Sequence, residues 1–390
     1  MVKYLLDTLV SAFIFLNIFA FEFPIMGIPA RFILLGVMLI LTFIVKPKYY
    51  FSTQFLGFIS MAYLFYALLT CYSLILGNDF VNILLYIRPL LMLMSIPTFQ
   101  YVFDRFGIER YLKSLSISCI ALIIFFIFLF VKSFIDPSFA LQFGEEQKLV
   151  KIVVNDLGIR VGIKTFSFII PFAIYIMSKL HGLYFYIFTI FIIIIAGLSQ
   201  SIGIVVPIVI YYFFLLFSRN QKSALLMSVS IIALIVFVEM ESIQAILTEK
   251  GNSAGVKTMQ VKNLFKDMDF ANFMLGRGIG CEFNNFDSRG ITEVMIEVAA
   301  VQIFQSGGLI FSWLILFVYL RPALIAIKNN KPYLYKLLGY SHLAYFLAAM
   351  SNPYLWGGGA LLLVIFIIAY PSSSSMLNIH NSSLRTLIIR

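Results

Sequence analysis

Residues 183–217 read LYFYIFTIFIIIIAGL-SQS-IGIVVPIVIYYFFLLF, so two long apolar runs are joined by a very short polar link. A helix that crosses a bilayer needs about 20 predominantly apolar residues, whereas a transmembrane β-strand alternates apolar and polar residues over about 10. Neither run alternates in this way. The stretch therefore predicts membrane-spanning helices and argues against a transmembrane β-barrel.

The composition of the whole chain agrees with this prediction. Of 390 residues, 61% are hydrophobic and only 12% are charged. Soluble domains are about 45–50% apolar and about 25% charged. A water-soluble enzyme is therefore excluded, and so is a disordered chain, which requires low hydrophobicity and high net charge.

The apolar runs predict one all-α, polytopic membrane domain over residues 1–390. Twelve helices of about 20 residues each would use about 240 residues and leave about 150 for loops and ends. The predicted spans are 4–22, 30–45, 54–76, 81–103, 114–134, 160–178, 183–198, 202–217, 223–240, 302–326, 334–350 and 357–371, followed by a tail at 372–390. The first run has no signal-peptidase site after it, so we expect it to be a retained helix.

The positive charges predict the orientation of these spans. Lys and Arg collect in alternate connections, at Lys46, Lys48, Arg105, Arg110, Lys113, Lys179, Arg219, Lys222, Lys328, Lys331 and Lys336. The short connections between them, 22–28, 77–80, 199–201 and 351–358, contain neither residue type. Because cytoplasmic loops are enriched in Lys and Arg, both termini are predicted to face the cytoplasm. The net charge of +10 is then a membrane-topology signal and does not indicate nucleic-acid binding.

Two long connections fall on the predicted outer face, at about 135–158 and 241–301. Long ordered loops on a compact scaffold are usually functional. The second loop includes the amphipathic run 291–306, which we interpret as a helix on or in the outer leaflet. Function is therefore expected at the outer face, between the ninth and tenth spans.

Arg88 lies within the fourth predicted span, where a charge is costly unless it faces a cavity or a partner. It could bind an anionic headgroup, or it could pair structurally with Asp7 or another helix. Pro89, the next residue, would interrupt the helical hydrogen bonds. Arg160 and Lys164 open the sixth predicted span, where a helix would place both cations on one face. They could bind an anion or simply anchor the helix at the interface.

Arg277 in LGRGIG and Arg289 in DSRG complete the set of candidate cations on the outer face. The glycines around Arg277 permit a turn and a close approach of the backbone to a ligand. Glu293 and Glu297 are four residues apart, so a helix would place both carboxylates on one face, where one could act as a general base. They could equally be the polar side of an amphipathic helix.

No cofactor or metal is expected. Asp267 and Asp269 resemble the Asp-x-Asp motif that holds a divalent cation, but two aspartates in a solvated loop are common. The three cysteines and three histidines are scattered, without the spacing of metal ligands.

The chain resembles the Wzy-type O-antigen polymerases. The similarity covers the whole chain in architecture and about 275–310 in motif, where LGRGIG is followed by a glutamate and QSGGLIF. The segment SNPYLWGGG (351–359) before the last span also fits. The related O-antigen ligases carry a His-Asn pair eleven residues before the glycine, whereas the matching position before Gly308 is Glu297. The outer loops contain no histidine, which favours polymerase over ligase.

The resemblance implies a multi-pass enzyme of the bacterial inner membrane that works without metal or cofactor. It would transfer a growing glycan from undecaprenyl pyrophosphate to a new lipid-linked oligosaccharide repeat unit. Arg88, Arg160, Lys164 and Arg277, with Arg289, would surround the pyrophosphate, and Glu293 or Glu297 would activate the acceptor hydroxyl. A chain-length regulator and a flippase would be partners. Ligation to lipid A-core, transport of repeat units and another lipid-linked glycosyl transfer remain alternatives.

Overall fold

The computed structural model describes residues 2–19, 24–25, 28–136, 138, 150–155, 158–163, 207, 209–211, 213–214, 261–262, 264, 268–284, 292–293, 298–328, 331–350 and 358–370. Within this part of the chain the architecture is helical. The helices are α1 Val2–Phe19, α2 Ala30–Val45, α3 Thr53–Ile75, α4 Phe80–Ile87, α5 Ile96–Phe106, α6 Ile108–Ile135, α7 Phe270–Leu275, α8 Ala299–Ala326, α9 Tyr333–Ala349 and α10 Gly358–Ala369. A 3₁₀ segment, Arg88–Ser95, joins α4 to α5.

Most of the predicted spans form helices where they are described, and the exception is 160–178, whose described residues 160–163 are in a strand. The described residues of the predicted spans 4–22, 30–45, 54–76, 114–134, 302–326, 334–350 and 357–371 lie in these helices to within one residue at an end, and span 81–103 is divided between α4, the 3₁₀ segment and α5. The spans 183–198 and 223–240 lie outside the described residues, and the few described residues of 202–217 are helical. Four helical stretches in the described part are long and apolar enough to cross a membrane, namely 53–75, 80–106, 108–135 and 299–326. The chain is therefore a helical membrane protein.

The connections add three short antiparallel hairpins to this helical framework. Their strands are β1 Pro24–Ile25 with β2 Ile28–Pro29, β3 Val150–Asn155 with β4 Gly158–Ile163, and β5 Phe283–Asn284 with β6 Thr292–Glu293.

Two predicted helix starts are corrected by these strands. Residues 158–163 belong to β4, so no helix begins at Arg160. The β-branched residues of VKIVVN and the short link to Gly158 favour a hairpin instead. The predicted amphipathic helix 291–306 is also wrong in its first part, because residues 292–293 are in β6 and α8 begins only at Ala299.

The break that Pro89 predicts in the fourth span is confirmed. Pro89 has no N–H group, and the chain changes from α to 3₁₀ geometry at Arg88. Side chains bond carbonyls of this segment: the Tyr63 hydroxyl donates to the Leu90 carbonyl at 3.0 Å, and the Ser95 hydroxyl donates to the Met92 carbonyl at 2.7 Å. Irregular backbone is thus tolerated inside an apolar span.

Helices α3 and α8 lie antiparallel, which fixes the two ends of the bundle. The ring of Tyr72 stacks on Phe311 with centroids 5.7 Å apart, and Phe65 meets Phe317 edge-on at 6.2 Å. The start of α3 therefore lies at the same end as the close of α8. The lysines at 46 and 48 consequently share an end of the bundle with Lys328 and Lys331.

The other described basic connections lie at this end too. The Tyr49 hydroxyl donates to the Asp104 carboxylate at 2.6 Å, which joins the 46–50 connection to the end of α5. Burial raises the pKa of the Tyr49 hydroxyl, and the hydrogen bond to the Asp104 carboxylate raises it further. Tyr335, at the start of α9, contacts Tyr370, directly after α10, with ring centroids 5.9 Å apart. The end of α10 therefore lies at this end of the bundle as well. We call this end, with its Lys and Arg residues, the basic end.

Asp7 holds α1 to α6 at the basic end. Its side chain is only 5% exposed, and it accepts hydrogen bonds from the guanidinium of Arg110 and from the Tyr111 hydroxyl, the latter at 2.8 Å. The carboxylate therefore has its own partners, and the suggested pairing of Asp7 with Arg88 is wrong.

Cysteine labelling will test the orientation predicted from the positive charges. In a background with Cys71, Cys119 and Cys281 replaced by Ser, we expect Leu76→Cys to react with a membrane-impermeant maleimide in intact spheroplasts. Leu76 is 46% exposed at the end of α3 opposite the basic end. Lys48→Cys, at the basic end, should react only after permeabilisation. The reverse pattern would contradict the predicted topology.

Candidate functional site

The sequence LGRGIG forms a rigid turn, which we call the arginine loop (residues 276–280). It follows α7, whose N-terminus is capped by Asp269 through a hydrogen bond to the Asn272 N–H at 2.6 Å. Three alternate glycines in the loop have positive φ, with Gly276 at 77°, Gly278 at 78° and Gly280 at 75°. This backbone conformation is available almost only to glycine. The glycines therefore let the chain turn tightly around Arg277.

The end of α3 and the residues after it hold the arginine loop from one side. The Tyr72 hydroxyl donates to the Gly276 carbonyl at 2.8 Å. The Asn78 amide donates to the Arg277 carbonyl at 2.8 Å and to the Ile279 carbonyl at 3.1 Å. The Ile279 N–H donates to the Ser73 hydroxyl oxygen at 2.8 Å. These bonds place the loop at the end of the bundle opposite the basic end.

A break in α8 holds the loop from the other side. Gly308 has φ 54° and ψ −154°, which interrupts the helix. In an uninterrupted helix the carbonyls of Gln305 and Ser306 would accept from residues 309 and 310. Here the Arg277 N–H donates to the Gln305 carbonyl at 2.7 Å, and the Gly278 N–H donates to the Ser306 carbonyl at 3.0 Å. The arginine loop thus supplies donors to the broken helix end.

The contact between the loop and the break is too close for any side chain. A Cβ atom on Gly276 would lie 2.5 Å from the Gly308 nitrogen and 2.5 Å from the Ser306 carbonyl oxygen. A Cβ on Gly280 would lie 2.7 Å from the Ile83 nitrogen of α4. Gly276, Gly280 and Gly308 are therefore required by close backbone contacts, whereas an added Cβ on Gly278 would first meet the side chains of Ser73 and Asn78.

The depth of the break follows from helix geometry. The part of α8 beyond it, residues 309–326, would measure roughly 27 Å at about 1.5 Å per residue. The hydrocarbon core of a bilayer is about 30 Å thick. With the end of α8 at one membrane boundary, this length would place the break and the arginine loop near the opposite boundary, away from the midplane.

Two buried polar side chains and a half-buried thiol lie near the arginine loop. Gln302, on α8, donates from its amide to the hydroxyl of the buried Tyr86 on α4. Cys281 follows the loop and is electrostatically coupled to both Tyr86 and Arg277. Burial raises the pKa of the Cys281 thiol to about 11, although the positive charge of Arg277 opposes the shift. The thiol is protonated at neutral pH and is therefore poorly suited to act as a nucleophile.

The second described candidate, Arg88, contacts a different part of the bundle. It lies at the start of the 3₁₀ segment, half-buried, and its guanidinium carbon is 4.9 Å from the centre of the Phe32 ring on α2. Arg31, which is not among the predicted site residues, stacks on the same ring with its guanidinium carbon 5.2 Å from the ring centre. The two guanidinium carbons are therefore no more than about 10 Å apart, a cation pair held together by one aromatic ring.

The remaining predicted residues are described only in part. Glu293 is in β6, opposite Phe283 of β5, so its backbone lies beside the strand that follows Cys281. It is not on a helix, and the predicted shared helix face with Glu297 is wrong. Arg160 is in β4 opposite Val153, so its predicted helix face is wrong as well. Lys164, Arg289, Glu297 and Asp267 lie outside the described residues.

Several residues that build the site were not predicted from the sequence. Ser73 lies in the predicted span 54–76, and Asn78 lies in the connection 77–80. Gln302 and Gln305 fall both in the predicted amphipathic run 291–306 and at the start of the predicted span 302–326, and neither prediction marks them as site residues, yet both are buried. The signal for the glutamines was present in the sequence, because two amides three residues apart in an apolar run mark one helix face.

Among the described residues, no group of three His, Cys, Asp or Glu side chains is placed to hold a metal ion. What the site offers chemically is one arginine on a fixed backbone, with neutral amides and a hydroxyl beside it. Comparisons of the chain with protein-family models, with curated proteins and with solved structures returned no match.

Proposed function

We propose that the chain is a polymerase of bacterial surface polysaccharide, acting at the outer face of the inner membrane. It would join undecaprenyl-pyrophosphate-linked repeat units into O-antigen or capsular polysaccharide. The observation that carries the proposal is the arginine loop, because its backbone is anchored to α3 and α8 at the end of the bundle opposite the basic end. A substrate whose phosphates lie at the lipid headgroups meets the protein at this depth.

The resemblance to the Wzy-type polymerases supplies the reaction. A hydroxyl at the non-reducing end of the new unit attacks the anomeric carbon of the growing glycan. The bond from that carbon to the pyrophosphate oxygen breaks, and undecaprenyl pyrophosphate leaves. The hydroxyl proton passes to a base, for which Glu293 and Glu297 are the candidates.

Arg277 has the role of stabilising the leaving group. Charge builds up on the pyrophosphate as the glycosidic bond breaks, and a guanidinium can donate two parallel hydrogen bonds to phosphate oxygens. A donor that is already fixed before the reaction needs no reorganisation in the transition state. The anchoring of the arginine loop to α3 and α8 supports this role.

Arg88 has a separate role in the proposal. With Arg31 it forms a cation pair, and we assign it to binding the lipid-linked phosphate away from the reacting carbon. Arg160, Lys164 and Arg289 remain candidates for contacts with the same substrate. A chain-length regulator and a flippase remain proposed partners.

Deletion of the gene tests the proposal. We expect the lipopolysaccharide or capsule of the deletion strain to show a lipid core that carries a single repeat unit and to lose the higher bands on a gel. This pattern arises because the first unit can be transferred without polymerisation. Loss of every repeat would point to ligation or flipping, and an unchanged ladder would contradict the proposal.

Transport is the second candidate function, and the presence of a break in α8 is the observation that favours it. Discontinuous helices are common in secondary transporters, whose binding sites lie near the midplane. The break at Gly308 lies near the membrane boundary, which favours catalysis at the surface. Purified protein in vesicles distinguishes the two, since a transporter would flip lipid-linked units without forming a new glycosidic bond.

A further inference from the structure

Two glutamines lie side by side in the first part of α8, before its break. Gln302 is 1% exposed and Gln305 is 2% exposed. They are three residues apart and therefore share one face of the helix. Gln302 contacts Tyr86 of α4, so this face is directed into the helix bundle. Two carboxamides are thus buried in the interior of the bundle.

The two amides differ in how their hydrogen-bonding groups are satisfied. The Gln302 amide donates to the Tyr86 hydroxyl. The side-chain nitrogen of Gln305 has no hydrogen-bond partner among the residues that the structure describes. A buried donor without a partner is costly, whereas an apolar side chain of the same size would carry no such cost.

The position of Gln305 relates this amide to the proposed site. Its backbone carbonyl accepts the Arg277 N–H at 2.7 Å, so the two residues are direct neighbours in space. The backbone of residues 305–308 is held in place by the arginine loop. The backbone that carries the Gln305 amide is therefore held directly against the arginine loop, whose Arg277 is assigned to the pyrophosphate.

We propose that Gln305 is a saccharide-binding residue, whose amide donates to a neutral oxygen of the sugar attached to the pyrophosphate. The inference rests on the proposed function and adds a residue to its site. A neutral amide suits a hydroxyl or acetamido oxygen, whereas Arg277 suits the charged phosphates. The first sugar of the repeat unit is next to the pyrophosphate, just as Gln305 is next to Arg277.

The test is Gln305→Leu in the purified full chain, in detergent micelles. We expect its thermal stability to equal or exceed that of the wild type, because the substitution removes an unsatisfied donor. Binding of the lipid-linked repeat unit extracted from the deletion strain should be about fivefold weaker, as is typical of one lost neutral hydrogen bond. Undecaprenyl pyrophosphate without sugar should bind both proteins equally. Gln305→Met, which is unbranched, serves if the leucine variant does not fold.

Gln302→Leu is the matched control. It removes an amide that already has a partner, so we expect it to lower the thermal stability. Equal binding of the repeat unit by Gln305→Leu and wild type would overturn the assignment of Gln305 alone. Equal weakening of both lipids would overturn its assignment to the sugar. A wild type that binds neither lipid would overturn the proposed function, and the inference with it.

Discussion

Gly276→Ala should leave little folded protein in the membrane. Gly276 has φ 77° and ψ −176°, a region that is essentially restricted to glycine and costs other residues about 1–3 kcal/mol. The added Cβ would also lie 2.5 Å from two backbone atoms, the Gly308 nitrogen and the Ser306 carbonyl oxygen. Backbone atoms cannot move aside as a flexible side chain can, which adds roughly 1–3 kcal/mol. Together these effects predict a loss of roughly 2–6 kcal/mol in the free energy of unfolding.

Gly57→Ala provides the matched control for this prediction. Gly57 is also a helix-associated glycine, but it lies within α3 and no atom would lie within 4 Å of an added Cβ. Alanine is a better helix former than glycine, so its stability should be unchanged or slightly higher. The measurement is thermal aggregation of a fluorescent fusion in detergent. Wild-type stability in Gly276→Ala would show that the loop and the break in α8 are not packed together in this way.

Arg277→Ala should abolish polymerisation while leaving the protein folded. The loop is held by its backbone N–H and carbonyl groups, all of which remain in the variant. Removing a fixed donor to a developing charge costs about 10²–10³ in rate. We therefore expect the ladder of the complemented deletion strain to collapse to the single-repeat band. Arg277→Lys should restore only a short, faint ladder, since lysine cannot donate bidentately.

Arg321→Ala is the control for the loss of a cation. Arg321 also lies on α8 but near the basic end, where its guanidinium stacks on Phe317 at 4.8 Å. The Arg321→Ala variant should support a ladder of wild-type length. A normal ladder from Arg277→Ala, with the protein present in normal amount, would contradict the role assigned to Arg277.

The helices of the chain were predictable because they depend on local sequence. The span 30–45 coincides with α2, and 54–76 differs from α3 by a single residue at each end. Apolar length decides whether a segment enters lipid, and inside lipid a helix satisfies its own backbone. The 3₁₀ segment at Arg88 followed from Pro89 for the same local reason. The predicted helix starts were wrong where the chain forms hairpins, as at Arg160 and Glu293. Strand pairing depends on a partner strand elsewhere in the chain, which the local sequence does not show.

The sequence by itself determined that this protein is helical and membrane-embedded, and it identified Arg277 as a residue on a glycine turn. Only the tertiary structure decided what the turn contacts. Asn78 bonds the Arg277 carbonyl across a separation of 199 residues, and Tyr72 bonds Gly276 across 204. The break at Gly308 is filled by donors from a loop that precedes it in the chain. Such contacts have no local period or motif, because they form only when packed helices bring distant backbone groups together.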